Sequence, residues 1–193
     1  MSEDPILKFK IWWDEVKKNL NLKHPNAVCV STLDEKGFPS GRFVDLKAVN
    51  NKGFIFCTYL NSKKGQDLQR NPKVSLTFWW EGVGYQVRVT GLAFEISESD
   101  AEKYWHSRTR DAQITTLSCQ QSQLLTSEQE LREQVTQMID ILSDNPIPKP
   151  KNWGGYQVEP NAIEFLTFKE DRLHLRELYL IQNGVWQKYL LQP

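Results

Sequence analysis

Near the C-terminus Arg172, His174 and Arg176 alternate with Leu173 and Leu175. On a strand the three polar side chains share one side and the leucines the other. Two guanidiniums flanking an imidazole are costly to bury unless they line an anion site, where the imidazole can hydrogen-bond or move a proton. The same spacing also suits an exposed strand face paired with Glu170, Asp171 and Glu177. A second cluster joins Arg42 and Lys47 to Thr58, Ser62, Lys63 and Lys64. Phosphate binding needs fixed cations with hydroxyl or backbone donors, often where a helix begins. Ser62-Lys63-Lys64 lies at such a strand-to-helix passage, although a solvated basic turn has the same composition and no glycine-rich phosphate loop is present. In the third cluster Tyr104 and Arg108 are four apart and share a helix face if the helix runs that far. They suit either the grip of an anion or an ordinary surface pair.

Other chemistries find little support. The three histidines, His24, His106 and His174, show no HxxxH spacing and the cysteines no CxxC pair, which disfavours zinc. There is no GxSxG elbow and no GxGxxG opening a helix. Asp111 and Glu164 stand as isolated carboxylates with no acid–base partner in sequence. Lys plus Arg equals Asp plus Glu at 24 each, so a nucleic-acid partner is not expected and any anion site must come from local clustering. Cys29, Cys57 and Cys119 are odd in number and far apart, which fits a reducing cytoplasm rather than a disulfide framework. The start MSEDPILKFKIWW lacks a signal-peptide pattern, and no apolar run approaches the ~20 residues of a membrane span, so no membrane role is expected.

The elements that must position these residues are mostly strands. Residues 5–20 read as a helix, capped by Asp4 with Pro5 at its first position, with Ile6, Phe9, Trp13, Val16 and Leu20 along one stripe. Strands are expected over 27–33, 42–49, 54–59, 74–80 and 85–96, with turns at Asp34-Glu35-Lys36-Gly37 and Asn50-Asn51-Lys52-Gly53. Helices are expected over 62–70, from the cap at Ser97 to about Ser107, and over 126–142 with Leu131, Val135, Met138 and Leu142 aligned. After Pro146, Pro148 and Pro150 come strands at 155–159, 163–168, 173–181 and 186–191. Strands in hairpin order with helices inserted point to a mainly β chain, an antiparallel barrel with flanking helices. The proline stretch is read as internal to one domain spanning residues 1–193, with the strands at about 153–193 belonging to it.

Taken in order, the clusters resemble the pyridoxamine 5′-phosphate oxidase family over nearly the whole chain. The matching stretches are Arg42-Phe-Val-Asp-Leu-Lys47, Asn61-Ser-Lys-Lys64, Asn71-Pro-Lys-Val-Ser-Leu76, Tyr85-Gln-Val87, residues 103–114, Gln121-Ser122, Trp153-Gly-Gly-Tyr156, Ile163-Glu-Phe165 and Arg172-Leu-His-Leu-Arg176. The resemblance implies an FMN-binding split barrel, homodimeric, with active sites at the subunit interface. It implies FMN contacts from Arg42 to Lys47, Val44 and Leu46 among them, and from Thr58, Lys63, Lys64, Gln86, Gln121, Ser122, Leu166 and Arg176. It implies substrate contacts from Lys47, Tyr104, Arg108 and the position of Ala112, with Arg172 and His174 as the catalytic pair beside the reacting ring. The implied reaction is oxidation of pyridoxamine or pyridoxine 5′-phosphate, with O2 as acceptor and H2O2 as product. The chain departs from the pattern at Asp45 (usually aliphatic), Cys57 (usually Tyr), Lys63 (usually Arg), Ala112 (usually Ser) and Leu166 (usually Trp). These departures leave room for a phenazine-pathway type of flavin oxidase, or for a non-catalytic carrier of FMN or pyridoxal phosphate.

Overall fold

The computed structural model describes residues 3–19 and 21–193. Leu20, expected at the end of the first helical stripe, lies outside the described residues. Five α-helices and eight strands follow in the order α1 (Pro5–Lys18), β1 (Ala27–Leu33), β2 (Pro39–Val49), β3 (Phe54–Tyr59), α2 (Lys63–Arg70), β4 (Lys73–Trp80), β5 (Tyr85–Glu95), α3 (Glu98–His106), α4 (Arg110–Ser118), α5 (Glu128–Leu142), β6 (Trp153–Thr167), β7 (Leu175–Gln182) and β8 (Val185–Leu191). The sheet runs β3-β2-β1-β4-β5-β6-β7-β8, and a further pairing of β3 with β6 closes the first six strands into an antiparallel barrel. The expected mainly β barrel with flanking helices is therefore present.

The chain groups into two compact units, neither of them one continuous stretch. The first comprises residues 1–56, 67–94 and 156–193, the second residues 57–66 and 95–155. The prolines at 146, 148 and 150 fall inside the second unit.

In the first unit the core forms around α1. Asp4 caps the helix by accepting from the Ile6 amide at 2.9 Å. Ile6, Phe9 and Val16 of the predicted stripe are buried. Phe9 meets Phe54 edge-on with ring centroids 4.7 Å apart and lies 4.9 Å from Phe78 and 5.8 Å from Trp80. Burying side chains of this size stabilises the fold by about 1.5–3 kcal/mol each, so this aromatic knot fixes α1 on the strands. Strand 6 runs unbroken through Pro160, where two separate strands were expected. Its neighbours approach so closely that side chains are excluded: a Cβ at Gly53 would sit 2.0 Å from the Val158 carbonyl oxygen, and one at Gly91 2.2 Å from that of Glu159.

The second unit is built on Trp105, Ile114, Ile147 and Trp153, with Val135, Met138 and Leu142 of α5 packed against them. Trp105 and Trp153 meet edge-on at 5.0 Å, and the Trp105 indole donates to the Ile147 carbonyl at 2.9 Å. The proline segment is held by Lys149, whose ammonium is paired with Glu98 at 2.8 Å and donates to the Trp153 carbonyl at 3.2 Å. Helix α4 was not anticipated. Its Thr109 cap and the bond from the Gln113 amide side chain to the Trp105 carbonyl at 2.9 Å fix a segment whose polar sequence has no strong helical stripe.

Gly53→Ala is expected to cost about 2–4 kcal/mol in urea denaturation, because the new Cβ meets backbone and φ is +144°. Gly37→Ala, at φ +83° with open space around it, is expected to cost only about 1 kcal/mol. Equal losses at the two positions would contradict the packing account.

Candidate functional site

In the second unit β3 ends in a turn that delivers hydroxyls and ammonium groups to the start of α2. Thr58, Ser62 and Lys64 are all buried. The Lys64 ammonium donates to Thr58 Oγ1 at 3.1 Å, and Thr58 donates to Gln121 Oε1 at 3.0 Å. The Lys63 amide donates to Ser122 Oγ at 3.2 Å, and Ser122 takes a left-handed backbone with φ 72°. Thr58, Lys63, Lys64, Gln121 and Ser122, distant in sequence, are thus one hydrogen-bonded cluster. Gly65 makes the turn possible, since a Cβ there would lie 2.1 Å from the Leu60 carbonyl oxygen. A buried ammonium, Lys64, with an exposed one, Lys63, hydroxyls and a helix start in one place match the chemistry of an anionic oxygen-rich group.

Beside this cluster the same unit holds a cavity of about 300 Å³, lined among others by Cys57, Tyr59, Arg108, Thr116, Cys119 and Trp153. Helix α3 ends at His106, so Tyr104 and Arg108 do not share a helix face as expected. The Ser107 amide caps the helix on the Lys103 carbonyl, and Arg108 begins the passage to α4. Its guanidinium lies 5.3 Å from the centre of the Trp153 ring and 5.5 Å from that of Trp105. One Nη donates to the Ala112 carbonyl at 2.8 Å and to Thr116 Oγ1 at 2.7 Å. Ala112 therefore contributes a carbonyl, and the hydroxyl near Arg108 comes from Thr116, one helical turn later. Burial raises the Tyr104 phenol above its ordinary value, with Asp100 and Cys57 adding to the effect. Tyr59 is also raised by burial and by Cys119, against the opposing pull of Arg108. Both phenols are therefore held as hydrogen-bond donors at neutral pH.

In the first unit Arg42 is half-buried on β2. It donates from Nη1 to Thr32 Oγ1 at 2.7 Å and from Nη2 to Ser40 Oγ at 2.7 Å. Burial lowers its pKa and Asp67 opposes the shift; a guanidinium remains charged regardless. Further along β2, Asp45 is exposed, Val44 half-buried and Leu46 buried. The register against β3 slips between Leu46 and Ala48, which leaves Lys47 as the extra residue of a bulge. Gln86 pairs with Trp79 and Leu166 with Arg176 across their strands. Glu164, isolated in sequence, has two partners in space: one oxygen takes Arg176 Nη2 at 2.7 Å and the other Arg88 Nη1 at 3.2 Å.

The expectation of one strand over 173–181 needs correction at its start. Strand 7 begins at Leu175, and the loop before it turns at residues 170–172. Arg172 has φ 64°, its amide donates to the Lys169 carbonyl at 3.1 Å, and the Asp171 carboxylate takes the Leu173 amide at 2.9 Å. An aspartate bonding two residues ahead stabilises a turn in competition with the strand. Arg172, His174 and Arg176 are therefore not three side chains of one strand face, and Leu173 is 66% exposed rather than packed inward. A left-handed non-glycine residue is a strained feature that often marks a ligand-facing turn. His174 accepts the Lys169 amide on Nδ1 at 3.2 Å and lies against Phe168 with ring centroids 4.6 Å apart. With Nδ1 accepting, the neutral ring carries its hydrogen on Nε2 and presents a donor there.

Sequence reasoning missed Tyr59, Thr116, Cys119 and Trp153 as cavity walls, and Thr32 and Asp67 as partners of Arg42. The only local signal was the four-residue spacing from Ala112 to Thr116 on α4.

A closed antiparallel barrel with inserted helices is the architecture of the split-barrel class. The same fold is found in a pyridoxamine 5′-phosphate oxidase-related, FMN-binding protein of Nostoc punctiforme, at 15% identity, TM-score 0.79 and full coverage of both chains. The family model for pyridoxamine 5′-phosphate oxidase matches residues 13–141, and that for the pyridoxine 5′-phosphate oxidase C-terminal dimerisation region matches residues 153–193. The chain belongs to the pyridoxamine 5′-phosphate oxidase family. It is 37% identical to the pyridoxine/pyridoxamine 5′-phosphate oxidase of Legionella pneumophila strain Paris, over 100% of this chain and 89% of the relative. It is 28% identical to PhzG of Burkholderia lata 383, solved with tetrahydrophenazine-1-carboxylic acid, with TM-score 0.93 over 100% of this chain and 94% of that one.

Burial raises the pKa of the Cys119 thiol. In a Cys29→Ser/Cys57→Ser background its alkylation by iodoacetamide should be slow at neutral pH and still accelerate above about pH 9.5, where an ordinary thiol has levelled off. A rate that is already flat by about pH 9.5 would contradict the assignment.

Proposed function

We propose that the protein is an FMN-dependent oxidase that converts pyridoxamine or pyridoxine 5′-phosphate to pyridoxal 5′-phosphate, with O2 as acceptor and H2O2 as product. The observation that carries this reading is Arg108, set against two indole rings at a cavity of about 300 Å³, a size suited to one small aromatic ring bearing an anion. The residues present fit the cofactor as well. The buried Lys64, Thr58 and Ser62, with Lys63, Gln121 and Ser122, supply donors for its phosphate. The family resemblance further assigns cofactor contacts to Arg42, Lys47, Gln86 and Arg176, with the backbone or side chains of Val44, Leu46 and Leu166. When bound, FMN supplies the hydride acceptor, and the protein supplies binding, orientation and electrostatics.

Each protein group then has a physical task. Arg108 and Tyr104 bind the substrate phosphate, a role that the family resemblance also assigns to Lys47. Thr116 accepts from Arg108 and holds its guanidinium at the cavity wall. His174 offers its Nε2 hydrogen to the substrate ring, and Arg172, permanently charged, orients the ring and stabilises negative charge. We further propose a homodimer, supported by the match of residues 153–193 to a dimerisation region and by the exposed Leu175, Tyr189 and Leu190 on β7 and β8. The three free thiols support a reducing, cytoplasmic setting.

A second reading, a flavin oxidase acting on a carboxylated polycyclic substrate, is favoured by one feature. Ala112 offers no hydroxyl to a phosphate, and its carbonyl instead accepts from Arg108. The two readings separate in steady-state assays. FMN-loaded protein given pyridoxamine 5′-phosphate in air should form the aldehyde and consume O2 in equal amounts. Arg108→Met should lower kcat/KM for that substrate by about 10–100-fold, the worth of a charge-assisted hydrogen bond, and have little effect with unphosphorylated pyridoxamine. Absence of turnover with either phosphorylated vitamer, alongside turnover of a reduced phenazine carboxylate, would replace the first reading by the second.

A further inference from the structure

Arg42 is restrained by more than its strand. Its Nη1 donates to Thr32 Oγ1 at 2.7 Å and to the Val30 carbonyl at 3.3 Å, and its Nη2 to Ser40 Oγ at 2.7 Å. A threonine hydroxyl has one hydrogen, and that of Thr32 is committed to Asp67 Oδ2 at 2.8 Å. Its lone pairs must therefore face Arg42, so the order guanidinium, hydroxyl, carboxylate has a fixed direction. Asp67 is 0% exposed and Thr32 1%. The other Asp67 oxygen takes Arg70 Nη2 at 2.9 Å, and Arg70 reaches Glu35 at 3.4 Å. Asp67 Oδ2 lies 3.9 Å from Arg42 Nη2, close enough to attract but too far to hydrogen-bond. The hydroxyl is the mechanical link between the two charges.

We infer that Thr32 and Asp67 are positioning residues that set the orientation in which Arg42 meets FMN. Thr32, its hydroxyl aligned by Asp67, holds Nη1 while Ser40 holds Nη2, and the two together fix the plane in which the guanidinium meets its ligand. The isosteric Thr32→Val leaves an Arg42 N–H and an Asp67 oxygen both facing a methyl group, whereas Thr32→Ser keeps the link. The inference rests on the reading of Arg42 as an FMN contact.

The test is a titration of apo-protein with FMN, followed by quenching of flavin fluorescence, with the apo-protein melting temperature measured in parallel. The variants are Thr32→Val, Thr32→Ser and Asp67→Asn, each alone and combined with Arg42→Gln. Thr32→Val should weaken FMN binding about tenfold while Thr32→Ser stays within about threefold of wild type. Combined with Arg42→Gln, Thr32→Val should weaken binding no further although it still lowers the melting temperature, because the positioned group is gone. Wild-type affinity in Thr32→Val, or effects that add fully with Arg42→Gln, would overturn the inference and leave Thr32 a purely structural residue. If Thr32→Val does not fold, the same cycle with Asp67→Asn decides. Failure of the wild-type protein to bind FMN would instead overturn the proposed function.

Discussion

An arginine that is to receive an anion must be held in place before the anion arrives, or ordering it then costs most of the binding energy. Its guanidinium must also stay hydrated or paired while it waits. Buried carboxylates meet this constraint in the first unit. Asp67, through Thr32, restrains Arg42, and Glu164 takes Arg176 and Arg88 on its two oxygens. In the second unit Arg108 rests on a carbonyl, a hydroxyl and two indole rings. Such pairing has a chemical consequence: a guanidinium neutralised by a carboxylate is oriented but weakened as an anion receptor.

The barrel serves the same end. Gly53 and Gly91 let β6 approach its neighbours closely at Pro160, and the aromatic knot of Phe9, Phe54, Phe78 and Trp80 fixes α1 against the strands. Rigid strands carry Arg42, Lys47, Gln86 and Arg176, while Arg108, Arg172, His174 and Ser122 sit on turns or in loops. Two of those turn residues, Ser122 and Arg172, adopt the left-handed conformation that side chains disfavour. Strain of about 1–3 kcal/mol at each persists because neighbouring hydrogen bonds over-determine the turn.

Much of this was legible in the sequence. The alternating strand β1 and the apolar run of β3 have the bounds that the sequence indicates, and the Asp4 and Ser97 caps are where their side chains dictate. The errors have local causes. The alternation at 172–176 suggested a strand, but the Asp171 carboxylate captures the Leu173 amide and makes a turn. The stretch 110–118 lacks an apolar stripe because α4 is stabilised by a cap and by side-chain bonds to Trp105 and Arg108. Glu164 appeared isolated because its partners are 12 and 76 residues away. Thr32 and Asp67, 35 residues apart, could be paired only once β1 and α2 were in place.

The central claim is that these held cations serve a flavin that takes a hydride from a phosphorylated vitamer. Its most direct test is to mix FMN-loaded protein with pyridoxamine 5′-phosphate without oxygen and follow flavin absorbance. The account predicts bleaching of the flavin in a single turnover, and recovery of its colour when oxygen is admitted. Tight binding of both ligands with no bleaching would contradict it and leave a protein that carries these molecules without reacting them.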